Sequence, residues 1–159
     1  MARGLTFLVA AVTAAACSST RGGIDASAPT LSDSLITAAA ESRQFTIYVT
    51  AANARQHPAI PLTTEYYVKM DGDSVHSFLP YFGRTYYPDS NFEGYIFDTA
   101  ATNYTSQDNG RGTTTVSFSA RFLTETCKYT IDLFPGGRAY VRVTSNNRAP
   151  ISYEGEMGQ

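Results

Sequence analysis

The sequence predicts an all-β protein, a small antiparallel up-and-down barrel of about eight strands preceded by one helix. Three observations carry this prediction. Apolar and polar residues alternate with period two over most of the chain after Arg43, as in strands with one buried face. Turn-forming residues separate these segments, and no helical crossovers lie between them. Sequential hairpins favour a barrel or a strongly curled sheet, and only the barrel leaves no exposed edge strand.

The chain starts with the composition of an export signal. Arg3 supplies a positive charge, and an apolar run follows from Leu5 to Ala16. At ~1.5 Å per residue this run covers roughly 18 Å, too little for a ~30 Å hydrocarbon core. Three alanines then precede Cys17 and resemble a lipobox, so residues 1–16 are predicted to be a lipoprotein signal peptide and Cys17 to carry lipid. Ala14 stands where the pattern usually has leucine, and ordinary cleavage that leaves a free Cys17 thiol is the alternative.

The next segments predict a tether and one helix. Residues 17–29 are small, polar and glycine-bearing, which is typical of a flexible linker, and residues 30–159 form the single predicted barrel domain. Thr30 and Asp33 match a capping box, and apolar residues recur at helical spacing after them. We therefore predict a helix from Leu31 to Ser42 that packs on the barrel.

The predicted strands follow in order, with turns at Asp71-Gly72, Asn109-Gly110 and Pro135–Gly137. They are Phe45–Thr50, Tyr66–Met70, Ser74–Leu79, Gly94–Asp98, Asn103–Gln107, Val116–Phe122, Cys127–Leu133, Ala139–Val143 and Ile151–Glu154. A barrel of about eight strands is either filled by its own side chains or holds one small ligand. The alternation of residues leaves both possibilities open.

Composition excludes some classes of partner. The formal charge is −2, and the chain has no cluster of lysines or arginines, so it lacks the basic surface that nucleic acids require. The sequence has two cysteines. If Cys17 carries lipid, Cys127 has no disulfide partner and is predicted to be a small buried apolar residue. We expect a monomer that contacts the membrane only through the lipid.

Several segments together resemble one family, the Bacteroidetes-type domain-of-unknown-function family 4251, over roughly Leu31 to Glu156. The segments that carry the resemblance are Glu41–Thr46, Gly72–Val75, Leu79–Arg84, Ser145–Arg148 and Ile151–Gly155. The resemblance implies an envelope lipoprotein and a lipocalin-like barrel with a preceding helix. It implies no established activity and carries over no catalytic residues. In the bacteria that the resemblance points to, surface-exported lipoproteins often have acidic residues soon after the lipidated cysteine. Residues 18–21 have none, so the resemblance implies the periplasmic face of the outer membrane.

The residues that usually carry catalysis are few. His57 and His76 stand in no metal-binding pattern, so no metal or other cofactor is predicted. A thiol site would need His76 beside Cys127, but the alternation places Cys127 on a buried face.

The carboxylates also form no recognisable site. Asp71 and Asp73 fit a hairpin turn better than a calcium loop. Three carboxylates could meet in space, although their spacing does not suggest it: Glu93, Asp98 and Asp132. We predict that the protein is not an enzyme.

The most distinctive local feature is an aromatic segment between Phe78 and Phe97. Tyrosine-rich loops bind flat apolar ligands or sugars while their hydroxyls form hydrogen bonds. The predicted ligand-binding residues are Tyr81, Phe82, Arg84, Tyr86, Tyr87 and Tyr95. The alternative is that a barrel without tryptophan uses these aromatic residues as its core. Arg148, among turn formers, is predicted to latch onto backbone carbonyls.

Three functions follow from these observations. The first is a non-catalytic cell-envelope lipoprotein that binds a small amphipathic or glycan-like ligand at an aromatic barrel mouth. The second is an envelope scaffold or protein-interaction module with a filled barrel. The third is a hydrolase with an unrecognised site, which the lack of an activated nucleophile or metal set disfavours.

Overall fold

The computed structural model describes residues 31–54, 58–86 and 94–158. It contains one helix, α1, and eight antiparallel strands that pair in sequence order and close into a barrel, so the predicted fold is confirmed. The elements are α1 Asp33–Ser42, β1 Gln44–Ala54, β2 Ile60–Asp71, β3 Ser74–Pro80, β4 Gly94–Asp108, β5 Thr114–Phe122, β6 Glu125–Leu133, β7 Arg138–Ser145 and β8 Ile151–Met157. Predictions for the signal peptide, Cys17, the tether, Thr30, His57, Tyr87 and Glu93 lie outside the described residues.

Inward and outward side chains alternate along each strand, so every second side chain lies inside the barrel. Phe118, Tyr129 and Val143 are paired across β5, β6 and β7, and all three are buried. The barrel closes where β8 pairs with β1, from Ile47 opposite Met157 to Ala54 opposite Ile151. Closure satisfies the backbone groups that an open sheet would expose at its edges.

Helix α1 begins two residues later than predicted. Leu31 forms an isolated β-bridge with Gly136, and this extended pairing delays the helix to Asp33. Ser32 therefore occupies the N-cap position instead of Thr30, and the predicted capping box was wrong. The helix ends as predicted at Ser42, because Arg43 adopts the left-handed conformation with φ 55°.

The helix lies over one end of the barrel, here called the helix end. Ile36 and Ala40 are buried there, at 2% and 0% exposure. The hydroxyl of Tyr104 on β4 donates to the carbonyl of Ala40 at 2.5 Å, and the Thr37 and Thr114 hydroxyls are 3.3 Å apart. These contacts tie α1 to two neighbouring strands.

Strand β4 joins two segments that were predicted as separate strands. Its pairing with β5 shifts between Thr102 and Thr105, and Asn103 has φ 54° at this bulge. Asparagine tolerates that conformation better than most residues. The bulge brings Tyr104 inward, where its ring stacks over Phe118 at 6.4 Å. The break in the alternation between the two predicted segments is therefore a bulge within one strand, and not a turn.

The hairpin between β2 and β3 turns one residue later than predicted. Asp71 is still paired, with Ser74, so the two loop residues are Gly72 and Asp73. Gly72 has φ 61°, a conformation that glycine adopts without strain. The predicted turn at Pro135–Gly137 and the loop after Asp108 are confirmed between β6 and β7 and between β4 and β5.

Candidate functional site

The predicted ligand-binding segment follows β3 and crosses the barrel end opposite the helix, here called the loop end. The backbone N–H of Tyr86 donates to the carbonyl of Asn147 at 2.8 Å. The N–H of Ala149 donates to the carbonyl of Arg84 at 2.9 Å, and Thr85 forms a β-bridge with Arg148. These bonds hold the segment against the β7–β8 connection.

Two of the predicted binding residues point into the barrel. Tyr95 is 1% exposed, and its ring lies 5.6 Å from that of Tyr81 in a T-shaped arrangement. The hydroxyl of Tyr81 lies within donating distance of two backbone carbonyls, those of Arg84 at 2.8 Å and Ala149 at 3.0 Å. Burial raises the pKa of both phenols. These two side chains therefore help to close the loop end of the barrel.

The other described members of the set face solvent. Phe82 is 41% exposed and Tyr86 57% exposed, and Arg84 is also exposed. Tyr87 lies outside the described residues. The structure therefore divides the predicted site into an internal tyrosine pair and an exposed strip of three residues.

Arg148 closes the loop end from inside. Its Nη1 donates to the carbonyl of Gly94 at 3.1 Å, which confirms the predicted latch. Its Nε and Nη2 also lie 3.2 and 3.1 Å from Oε2 of Glu125, a buried ion pair that the sequence analysis missed. The guanidinium carbon sits 5.2 Å from the Tyr81 ring centre and 4.9 Å from that of Tyr95. Arg148 is thus matched to a carboxylate of its own chain.

One signal in the sequence pointed to Glu125. It shares the alternation of Cys127 and Tyr129, whose side chains face the interior of β6. A carboxylate at an inward position needs a cationic or hydrogen-bonding partner. The partners are Arg148 and the hydroxyl of Ser145, which donates to Oε1. Extending the alternation one step before Cys127 would have located this residue.

The interior is filled by a continuous set of rings, here called the aromatic column. It runs from the helix end to the loop end through Tyr104, Phe118, Tyr129, Tyr95 and Tyr81, with neighbouring ring centres 4.9 to 6.5 Å apart. The hydroxyl of Tyr129 lies 2.9 Å from that of Ser77, and Tyr153 donates to the carbonyl of Pro80 at 2.6 Å. Tyrosine therefore supplies much of the core volume, as the alternative interpretation predicted.

The described residues do not form the groupings considered for catalysis: Cys127 lies in the interior and His76 on the outer face, and Asp98 and Asp132 are on separate strands. Cys127 is 1% exposed, and burial raises its pKa to about 12, so it is a protonated thiol at neutral pH. His76 lies on the outer face, where its Nδ1 is 2.8 Å from Oδ1 of Asp98. Asp132 accepts a hydrogen bond from Thr115 on another part of the outer face. Among the described residues no group of His, Cys, Asp and Glu is placed to hold a metal ion.

The family assignment follows from a family-model match. Residues 32–157 match the model described as "Domain of unknown function (DUF4251)". The chain belongs to the DUF4251 family. A crystal structure of a DUF4251 family protein from Bacteroides eggerthii DSM 20697 is similar, with a TM-score of 0.62 and 19% identity over 79% of this chain and 84% of that one. This similarity supports the barrel fold.

Neither of two further findings assigns a function. No curated protein matches this DUF4251 chain. No helix among residues 31–54, 58–86 and 94–158 is long and apolar enough to cross a membrane. The surfaces and the interior of the barrel therefore carry the functional information.

Proposed function

We propose that this DUF4251 protein is a non-catalytic, lipid-anchored component of the cell envelope whose barrel is a filled scaffold. The observation that supports this most is the aromatic column, which occupies the interior from Tyr104 to Tyr81. Helix α1 covers one end of the column, and the pair of Arg148 and Glu125 closes the other. A ligand inside the barrel would have to displace these side chains, so ligands or partners bind to the outer surface.

A single tryptophan tests whether the interior is filled, because the natural chain has none. Trp in place of Phe118 (Phe118→Trp) should show blue-shifted emission and little quenching by acrylamide in the native protein. Tyr86→Trp, at a position 57% exposed, is the matched control and should be quenched strongly. Strong quenching of both variants in the folded protein would contradict a filled barrel.

Anchoring is proposed through lipid on Cys17, on the periplasmic face of the outer membrane. The pattern of residues 1–17 supports it, and so does the buried, protonated thiol of Cys127, which does not serve as a surface disulfide partner. An alkyne fatty acid fed to the native host should label the wild-type protein and not Cys17→Ser. Mass spectrometry that finds an unmodified Cys17 at the mature N-terminus would reject the anchor.

The exposed strip at the loop end supports a second candidate function. Phe82, Arg84 and Tyr86 present two aromatic rings and one cation to solvent on a segment fixed by backbone hydrogen bonds. A small amphipathic or glycan-like ligand is proposed to bind there. A ligand at ~100 times its Kd should stabilise the protein by ~2.7 kcal/mol in a thermal-shift assay. Phe82→Ala and Tyr86→Ala should abolish that shift, and an unchanged shift in both variants would reject this site.

A further inference from the structure

The outer face of β1–β4 carries a row of aromatic side chains, and its ligand can be named by chemical class. We propose that the outer face of β1–β4 binds a neutral oligosaccharide chain, an inference that rests on the proposed use of the outer surface. The face is centred on one row of side chains, here called the aromatic row. Its members are Tyr48, Tyr67, Phe78 and Ile96.

Strand register creates the aromatic row. Tyr48 pairs with Tyr67, Tyr67 with Phe78, and Phe78 with Ile96, so four neighbouring strands contribute one outward side chain each. Ring centres are 6.5 Å apart for Tyr48 and Tyr67 and 6.0 Å apart for Tyr67 and Phe78. Three strand spacings of ~4.8 Å give a row of about 14 Å, which can accommodate a short oligosaccharide.

The row remains accessible to solvent at both ends. Tyr48 is 41% exposed and Ile96 45% exposed, while Tyr67 and Phe78 are half-buried between them. Gly158 packs against the Tyr48 ring so closely that a Cβ there would come within 2.8 Å of Cε2. The ring is therefore held in place before any ligand binds, which lowers the entropic cost of binding.

The outer face of β5 and β6 is different. Along the paired strands β5 and β6, the outward residues are hydroxyl-bearing or charged: Thr115, Ser117, Ser119, Arg121, Thr126, Lys128, Thr130 and Asp132. Polar and charged side chains are thus sufficient to cover the outer face of two paired strands, so the aromatic side chains on β1–β4 are not needed for contact with solvent. Exposed apolar side chains that cluster on one side of a protein, next to polar neighbours, mark an interaction surface.

A polar row lies beside the aromatic row on the same face. Thr46 pairs with Lys69, Lys69 with His76, and His76 with Asp98, each two residues along its strand from the aromatic row. Nδ1 of His76 lies 2.8 Å from Oδ1 of Asp98, and Nζ of Lys69 lies 3.6 Å from Oδ2 of Asp71. Donors and acceptors are thus both present, and Lys69 and His76 each already face a carboxylate of the chain, which suits an uncharged, hydroxyl-rich ligand better than an anionic one.

Surface depressions flank Tyr48 on both sides and extend the face along β1 and β2. One, of about 510 Å³, lies towards the helix end, and the other, of about 340 Å³, lies at the irregular pairing of β1 with β2. Apolar and polar side chains line both: the first has Leu31, Leu35 and Met157 beside Thr46, Lys69 and Asp71, and the second has Leu62 and Tyr66 beside Thr50 and Glu65. An elongated ligand can therefore cross Tyr48 and reach polar side chains on either side.

Sugar chemistry fits this arrangement. A pyranose ring has faces of C–H groups that pack on an aromatic ring, and a rim of hydroxyls that bond to nearby polar side chains. A peptide strand instead binds to the free edge of a sheet through backbone groups. The aromatic row lies on the face of the sheet, where β1 to β4 already pair with one another and present side chains. This difference favours a glycan over a peptide strand.

Isothermal titration calorimetry tests the proposal on the full-length protein in a sugar-free detergent. The probes are cellohexaose, maltohexaose and chitohexaose. At least one should bind the wild-type protein, and Tyr48→Ala should weaken that binding at least tenfold, while Tyr48→Phe should keep most of it. The control Tyr140→Ala, on the outer face of β7, should bind as the wild type does. Tyr86→Ala is measured alongside it to detect a ligand that binds at the loop end instead.

Each other outcome overturns the proposal. Failure of all three probes rejects a neutral glycan as the ligand, and equal binding by wild type and Tyr48→Ala rejects the aromatic row as its site. Binding lost only in Tyr86→Ala moves the ligand to the loop end. Melting temperatures of the variants distinguish lost binding from lost folding. None of these results bears on the filled interior or on the lipid at Cys17, which the tryptophan and labelling experiments test separately.

Discussion

Nη2 of Arg148 lies 3.1 Å from Oε2 of Glu125, with side chains that are only 1% and 4% exposed. Two ions this deeply buried are stable only as a pair, because each alone would keep the desolvation cost without its Coulombic partner. The pair also joins the β7–β8 connection to the start of β6 and to the Gly94 carbonyl of β4. One guanidinium therefore connects three parts of the loop end.

Removing only one of these two charged side chains should strongly lower the free energy of unfolding. Arg148→Met leaves Glu125 charged and buried, and we expect a loss of about 3–5 kcal/mol in the free energy of unfolding. Adding Glu125→Gln to that variant removes the unpaired charge and should recover at least about 1 kcal/mol. Urea unfolding of wild type, both single variants and the double variant measures this. Equal stability of Arg148→Met and the double variant would contradict the buried pair.

Two interior tyrosines should respond differently to loss of the hydroxyl. The Tyr95 hydroxyl is buried without a hydrogen-bond partner among the described residues, whereas that of Tyr153 donates to Pro80. Tyr95→Phe should therefore leave stability unchanged or raise it, while Tyr153→Phe should lower it by about 1–2 kcal/mol. Chemical denaturation of both variants provides the comparison. A larger loss in Tyr95→Phe than in Tyr153→Phe would show that the Tyr95 hydroxyl has a partner.

The buried thiol makes stability depend on pH in the alkaline range. Burial raises the pKa of Cys127 from 9.0 to about 12 in the folded state. Between pH 9 and 12 the folded protein retains a proton that the unfolded chain releases, so the free energy of unfolding falls as pH rises. One such group contributes a slope of ~1.4 kcal/mol per pH unit. Denaturation at several pH values should give a shallower slope for Cys127→Ala than for wild type.

The same burial should block chemical modification. In Cys17→Ser, Cys127 is the one remaining thiol of the chain. We expect a disulfide reagent at pH 8 to leave it unmodified in the folded protein and to react rapidly after denaturation. Rapid reaction under native conditions would mean that the interior opens readily.

The strands were predictable because a closed barrel imposes a strict inside–outside alternation. Val116, Phe118 and Ala120 face inward as their spacing indicated. The bulge at Asn103 was harder to recognise, because one left-handed residue reverses the alternation in the same way as a turn does. Local pattern alone therefore located the strands but not the continuity of β4.

The candidate surfaces could be predicted only in part. The aromatic segment from Phe78 to Phe97 is dense in the sequence, yet those of its side chains that the structure describes divide between the interior and the two outer surfaces. The aromatic row joins Tyr48 to Ile96 through strand register, which depends on loop lengths and on the irregular pairing of β1 with β2. No local pattern specifies that register, so this surface required the three-dimensional structure.

Helix α1 offers a direct test of how the helix end is closed. Ile36 is 2% exposed against the barrel, whereas its neighbour Leu35 is 59% exposed. Ile36→Ala removes buried methyl groups and leaves a cavity, so we expect a loss of about 2–5 kcal/mol. Leu35→Ala is the matched control and should stay within about 0.5 kcal/mol of wild type. Thermal and urea unfolding measure both variants, and similar losses in the two would mean that the helix does not seal the barrel through Ile36.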